Sequence, residues 1–232
     1  MSGTPSGVVR FPGTNCDQDV FEAVAATDGA RPVWLWHKET ELQGVRGIVL
    51  AGGFSYGDYL RAGAIARFSP IMERVIAFAR SGGPVLGICN GFQILTEAGL
   101  LPGALMRNDR LTFVCREQWL RVDGAATPFT ARLPAGALVR FPIAHGEGNY
   151  VADEATLDRL EAEGRVVFRY VDERGQTTAA ANPNGSARAI AGIASENGRV
   201  LGLMPHPDRA MSLLIGSDDG RGVFQGLLEA AA

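Results

Sequence analysis

The 232-residue chain holds few cysteines, only Cys16, Cys89 and Cys115, an odd number set far apart. That argues against a disulfide framework and for a reducing compartment. No C-x-x-C and no paired histidine spacing occurs, so no metal site is expected. No apolar run approaches the roughly 18 residues that span a bilayer. The opening MSGTPSG lacks the basic and apolar regions of a signal peptide, and a cytoplasmic location is expected. With a formal charge of −3 and no Lys/Arg cluster, neither a nucleic acid nor a membrane surface is expected as partner. G-x-x-x-x-G-K-[ST] is missing too, so this chain is not expected to bind ATP.

What is present is an ordinary globular mixture, 46% hydrophobic and 20% charged, long enough for one substantial core. GVVRFP, RPVWLW, VRGIVLAG and PVLGIC are short apolar runs without alternation, as in strands buried on both faces. Between them lie helix candidates. DVFEAVAATDG puts Val20, Phe21 and Val24 on one face, with Gly29 as a stop. SPIMERVIAFARSGG starts with Ser69 as N-cap and Pro70 at the first helical position, and NGFQILTEAG follows Cys89. The βαβα order predicts a mainly parallel sheet with helices on both faces. Further along, TFVCREQWLRV, ALVRFPI and RVVFRYV read as strands, and EATLDRLEAEG as a surface helix. IAGIASENGRVLGLM reads as a hairpin around Asn197-Gly198, and GRGVFQGLLEAA as a closing helix. No repeat or linker stands out, so residues 1–232 are expected to form one domain.

In VLGICNGFQIL, Cys89 stands where a strand turns into a helix, between Gly87 and Gly91. Ligands of open α/β sheets collect at the carboxyl ends of strands. A sharp strand–helix bend strains the residue at its apex, and small neighbours two positions away relieve the crowding. The helix N-terminus favours a thiolate there, and a thiolate is a competent nucleophile. The plain alternative is a small buried hydrophobe, which is what most free cysteines are.

A nucleophilic thiol needs a base. His206 follows another apolar strand in VLGLMPHPDRA. The flanking prolines favour extended chain, which would set His206 and Asp208 side by side. The carboxylate would then fix the imidazole tautomer and steady its cation. The alternative is an ordinary surface turn. His145, in FPIAHGEGNY, lies among glycines that permit close backbone approach, and is a candidate for lining a site. His37, ahead of charged KETE, reads as a solvated strand end, Cys16 as a turn residue, and Cys115 as core. Gly53-Phe54-Ser55-Tyr56-Gly57 also fits G-x-S-x-G, but its following segment is a poor helix. A better use for Gly52 and Gly53 is to aim backbone N–H groups at a developing oxyanion. Two rivals to a thiol enzyme stand beside it: a serine hydrolase using Ser55, and a non-enzymatic cysteine sensor. Such sensors often carry histidine just after the cysteine, where this chain has Asn90.

FPGTNCD at 11–17, GGFSYGDYLRAGAIAR at 52–67, GICNGFQIL at 87–95, AHGEG at 144–148 and GLMPHPDRA at 202–210 together resemble the class I (triad) glutamine amidotransferase family. Within it they resemble, in order and over nearly the whole chain, the glutaminase subunits of de novo purine biosynthesis. The resemblance implies a three-layer α/β/α, flavodoxin-like fold with a mixed, mainly parallel sheet and a nucleophile elbow. It implies Cys89, His206 and Asp208 as catalytic residues, with the N–H groups of Gly53 and Asn90 as oxyanion hole. It implies Gln93 as a substrate-binding residue, and Gly52, His145 and Gly146 as further candidates. Glutamine would become glutamate through a glutamyl thioester. The ammonia would pass to a larger synthetase that uses ATP and Mg2+ to turn formylglycinamide ribonucleotide into the amidine. A small accessory subunit is a further candidate partner. The family usually has glutamate where this chain has Asp208.

Overall fold

The computed structural model describes residues 3–123 and 127–232. A nine-stranded sheet has the order β2-β1-β3-β4-β11-β10-β9-β6-β7. Its first half comprises β1 (Thr4–Arg10), β2 (Ala30–Trp36), β3 (Gly47–Leu50), β4 (Val85–Ile88) and β11 (Val200–Leu203), paired in parallel. The second half comprises β6 (Val114–Val122), β7 (Leu138–His145), β9 (Val166–Tyr170) and β10 (Ile190–Ala194), paired antiparallel. All residues of β3, β4 and β11 are buried, as their unbroken apolar runs require. The short strands β5 (Ala104–Met106) and β8 (Asn149–Val151) form a separate pair that no sequence signal announced.

Helices cover both faces. α1 (Asp17–Ala25) and α5 (Arg221–Ala231) lie together over β1 and the strands beside it. α2 is Pro70–Arg80, α3 is Asn90–Glu97, and α4 is Glu154–Ala162. A Cβ on Gly47 would touch Leu227 of α5, whereas Leu50 meets Gly91 of α3. Residues 47 and 50 point to opposite faces of a strand, so α3 and α5 flank the sheet from opposite sides.

Close packing under α3 depends on missing side chains. Gly87 of β4 and Gly202 of β11 are register partners. A Cβ on Gly87 would lie 2.5 Å from Leu95, and one on Gly202 would lie 2.1 Å from Phe92. A Cβ on Gly91 would lie 2.0 Å from the Leu50 carbonyl oxygen. The helix therefore rests directly on β3, β4 and β11.

Several local expectations need correction. α1 ends at Ala25, and Gly29, with φ 85°, serves the turn into β2. Ser69 occupies the N-cap position of α2, but its Oγ is held by the Tyr56 hydroxyl at 2.8 Å instead of capping. Cys115 is exposed rather than core: it stands near the start of β6, where Cys115, Arg116 and Glu117 all face solvent. His37 is buried, not solvated, and the Tyr56 hydroxyl, 2.7 Å from its Nδ1, gives the buried ring a hydrogen-bond partner. The hairpin of β10 and β11 forms around Asn197-Gly198 as expected, with Gly198 at φ 68°.

Candidate active site

β4 ends at Ile88, and Cys89 sits at the apex before α3 with φ 51° and ψ −106°. This is strained backbone for a residue with a side chain. The neighbouring parallel strand anchors it, since the Cys89 N–H donates to the Leu203 carbonyl at 2.8 Å. Ser55, the rival nucleophile, lacks this geometry. It opens a 3-10 turn, its φ is not positive, and its buried Oγ has no hydrogen-bond partner.

His206 arrives from the end of β11, the strand paired with β4. The chain turns there instead of running extended. Pro207–Arg209 forms a 3-10 turn, with proline at the position where a missing N–H does no harm. The turn still brings His206 and Asp208 together. Nδ1 lies 3.3 Å from Oδ1 and 3.4 Å from Oδ2, long for a charge-assisted hydrogen bond. Both residues are buried, and Asp208 Oδ1 makes no hydrogen bond. Burial alone would pull the imidazole down. The Asp208 carboxylate, with Cys89 beside it, reverses that and pushes His206 up to about 10. Its other nitrogen, Nε2, is buried without a hydrogen-bond partner.

Gly52 separates these groups from the first loop. A Cβ there would come within 2.8 Å of His206 Cε1 and 3.4 Å of Cys89 Cβ. Gly53, at φ 137°, lies over Asn15 and lines the same cavity. Asn90 opens α3, so its N–H is one of the first-turn donors with no acceptor inside the helix. Gln93, one turn further, lines the cavity. Its Oε1 accepts from Asn90 Nδ2 at 2.9 Å, and its Nε2 donates to the Glu147 carbonyl at 2.6 Å.

The cavity measures about 250 Å³, as suits a substrate the size of one amino acid. It gathers Cys89, His206, Gly53, Gln93, His145 and Gly146. Asp208 supports His206 from behind, and Asn90 underlies the wall. His145 is buried with Nδ1 unpartnered. Burial, then the charge of His206, lowers it to about 4. It therefore stands neutral beside the imidazolium.

Sequence reasoning missed Asp58, Glu147 and Arg209, which also line the cavity. Their motifs were visible, but not the direction of their side chains. Cys16 belongs here as well, buried at the N-cap of α1, with Arg209 Nη2 at 3.0 Å from its sulfur. Burial, opposed in part by Arg209, pushes its thiol up to about 12. Among the described residues, no group of His, Cys, Asp and Glu is arranged to hold a metal ion.

Residues 6–219 match the CobB/CobQ-like glutamine amidotransferase domain family. Over 227 residues the chain is 59% identical to phosphoribosylformylglycinamidine synthase subunit PurQ of Chlorobaculum parvum, covering 98% of this chain and 90% of that protein. It is 58% identical to the PurQ subunit of Moorella thermoacetica over 223 residues, 96% of this chain and 94% of the relative. The solved structure of PurLQS from Thermotoga maritima superposes with a TM-score of 0.87 at 42% identity, covering all of both chains.

Proposed function

The chain belongs to the CobB/CobQ-like glutamine amidotransferase family, and from that premise we propose how its cavity performs the reaction. It is the glutaminase subunit of a phosphoribosylformylglycinamidine synthase, and its partner is the larger synthetase subunit. Glutamine is its substrate. The ammonia released converts formylglycinamide ribonucleotide to formylglycinamidine ribonucleotide. No helix among the described residues is long and apolar enough to cross a membrane, and we place the reaction in the cytoplasm.

In this reading Cys89 is the nucleophile, His206 the proton carrier and Asp208 the group that steadies it. The Asp208 carboxylate favours the imidazolium that forms when His206 takes the thiol proton. Cys89 Sγ attacks the side-chain amide carbon, and a bond forms between them. The oxygen becomes negative against the N–H groups of Gly53 and Asn90. The carbon–nitrogen bond breaks as His206 Nε2 gives its proton to the leaving nitrogen, releasing ammonia and leaving a glutamyl thioester. Water then attacks the thioester, its proton passes to His206, and glutamate departs as the proton returns to sulfur. Gln93, Gly52, His145 and Gly146 shape the pocket. ATP and Mg2+ act in the synthetase.

The supporting observation is the meeting of the strained Cys89 apex with a buried His206 from the adjacent strand, in one cavity. Cys89→Ala is expected to abolish glutamine-dependent synthesis by the complex while ammonia-dependent synthesis continues. Substantial glutamine use by this variant would overturn the assignment.

A further inference from the structure

One wall of the cavity carries a charge that the proton transfers do not use. Asp58 ends the 3-10 turn Ser55–Asp58 and faces the same space as Cys89, Gln93 and His206. The backbone that presents it is forced. Tyr56, Gly57, Asp58 and Leu60 have φ of 55°, 71°, 53° and 73°, and three of the four carry side chains. Strain of this kind persists where surrounding contacts impose it, and it gathers at functional sites. Asn90 supplies those contacts. Its Oδ1 accepts from the Ser55 N–H at 3.2 Å, and its Nδ2 reaches Asp58 Oδ1 at 3.5 Å. The residue after the nucleophile thus ties the Asp58 turn to the catalytic helix.

A partly buried carboxylate ordinarily sits beside a cation. Among the described residues Asp58 has none within ion-pair distance. Arg61, the nearest in sequence, is engaged by both oxygens of Glu97 at 2.6 and 2.7 Å. Arg107 is 3.6 Å from Glu147 instead. Burial and the negative charge of Glu147 push Asp58 up to about 6. In the same cavity the Nε2 of His206, on a side chain 1% exposed, also lacks a partner. Asp58 and His206 both line this cavity.

Glutamine brings the missing positive charge. Its reacting amide and its ammonium sit at opposite ends of one short chain. A site that seats the amide on Cys89 must meet the ammonium on a nearby wall. We propose that Asp58, with Glu147 lining the same cavity, receives the α-ammonium of glutamine and sets the preference for an α-amino acid over a simple amide. This rests on the glutaminase reading and names the specificity determinant of that cavity.

The test compares glutamine with 4-carbamoylbutanoate, which lacks only the α-amino group, as ammonia source for the assembled complex. Wild type is expected to prefer glutamine strongly. Asp58→Asn should raise the glutamine KM about 10- to 100-fold, the worth of a charge-assisted hydrogen bond. Its kcat should fall far less. Its kcat/KM for 4-carbamoylbutanoate should stay within roughly threefold, so that the preference collapses. Asp58→Glu should keep part of the preference. If Asp58→Asn fails to assemble, Asp58→Ser carries the same comparison. An unchanged preference, or an equal loss on both substrates, would overturn the proposal and leave Asp58 as a loop-holding residue. A wild-type complex that cannot use glutamine would instead bring down the glutaminase reading itself.

Discussion

Asp208 touches His206 at 3.3–3.4 Å through a side chain with one oxygen unpaired. A partner held that loosely steadies the imidazolium without carrying the chemistry. Asp208→Ala is therefore expected to keep more glutamine turnover than His206→Ala, with KM little changed. Asp208→Glu, a methylene longer, should be tolerated. Turnover of the three variants with saturating synthetase decides it; a wild-type rate in Asp208→Ala would make Cys89 and His206 a dyad. His145 carries a pH consequence. Its folded value, lowered to about 4, lies below the roughly 6.5 of an unfolded histidine. The unfolded chain therefore binds the proton more readily, and stability drops as pH falls from about 6.5 to about 4. The loss is at most ~3 kcal/mol for this residue. His145→Gln should flatten that part of the denaturation-versus-pH curve. The cysteines also differ in kind. The buried, raised thiol of Cys16 should resist iodoacetamide near neutral pH, while exposed Cys115 reacts. Peptide mapping after labelling reads this directly, and prompt labelling of Cys16 would show that its burial is not maintained in solution.

At the scale of elements, the central joint is α3 on its glycine bed. Gly91→Ala drives a Cβ into the Leu50 carbonyl at 2.0 Å, a backbone atom that cannot swing aside. The expected cost is ~3 kcal/mol or more of stability, together with loss of glutamine use. Gly52→Ala meets the ring of His206 and should abolish turnover with less effect on the melting temperature. Thermal melts of both variants beside their activity separate the two effects. These elements were only partly legible in the sequence. The frame Gly87-x-Cys89-x-Gly91 announced the bend because strand–helix apices demand small neighbours. The partner of each glycine was hidden, since Gly202 and Gly87 lie 115 positions apart and meet only through register (202 − 87). Pro205 and Pro207 marked the chain around His206 as special. The 3-10 turn was not visible, because proline suits both an extended run and the start of a helical turn. Cys115 and His37 were misplaced for one reason. Apolar or charged neighbours in sequence say little about which end of a strand is covered, or which hydroxyl waits across the sheet.

For the whole molecule, the order of strands matters more than their number. β11 lies between β4 and β10, pairing in parallel with one and antiparallel with the other. It thus joins the half bearing Cys89 to the half bearing His145. A chain ending at residue 199 would leave β4 and β10 without their shared neighbour. It is expected to show no cooperative denaturant transition, whereas the full chain should unfold cooperatively. A sharp transition in the shortened chain would mean that the two halves are stable apart. The same arrangement has a meaning in time. A ribosome delivers Cys89 117 residues before His206 (206 − 89), which at ~5–20 residues per second is a wait of roughly 6–23 s. During that wait the growing polypeptide exposes the apolar margins meant for β11, so chaperones have their longest access to this protein while its central seam is still unfilled.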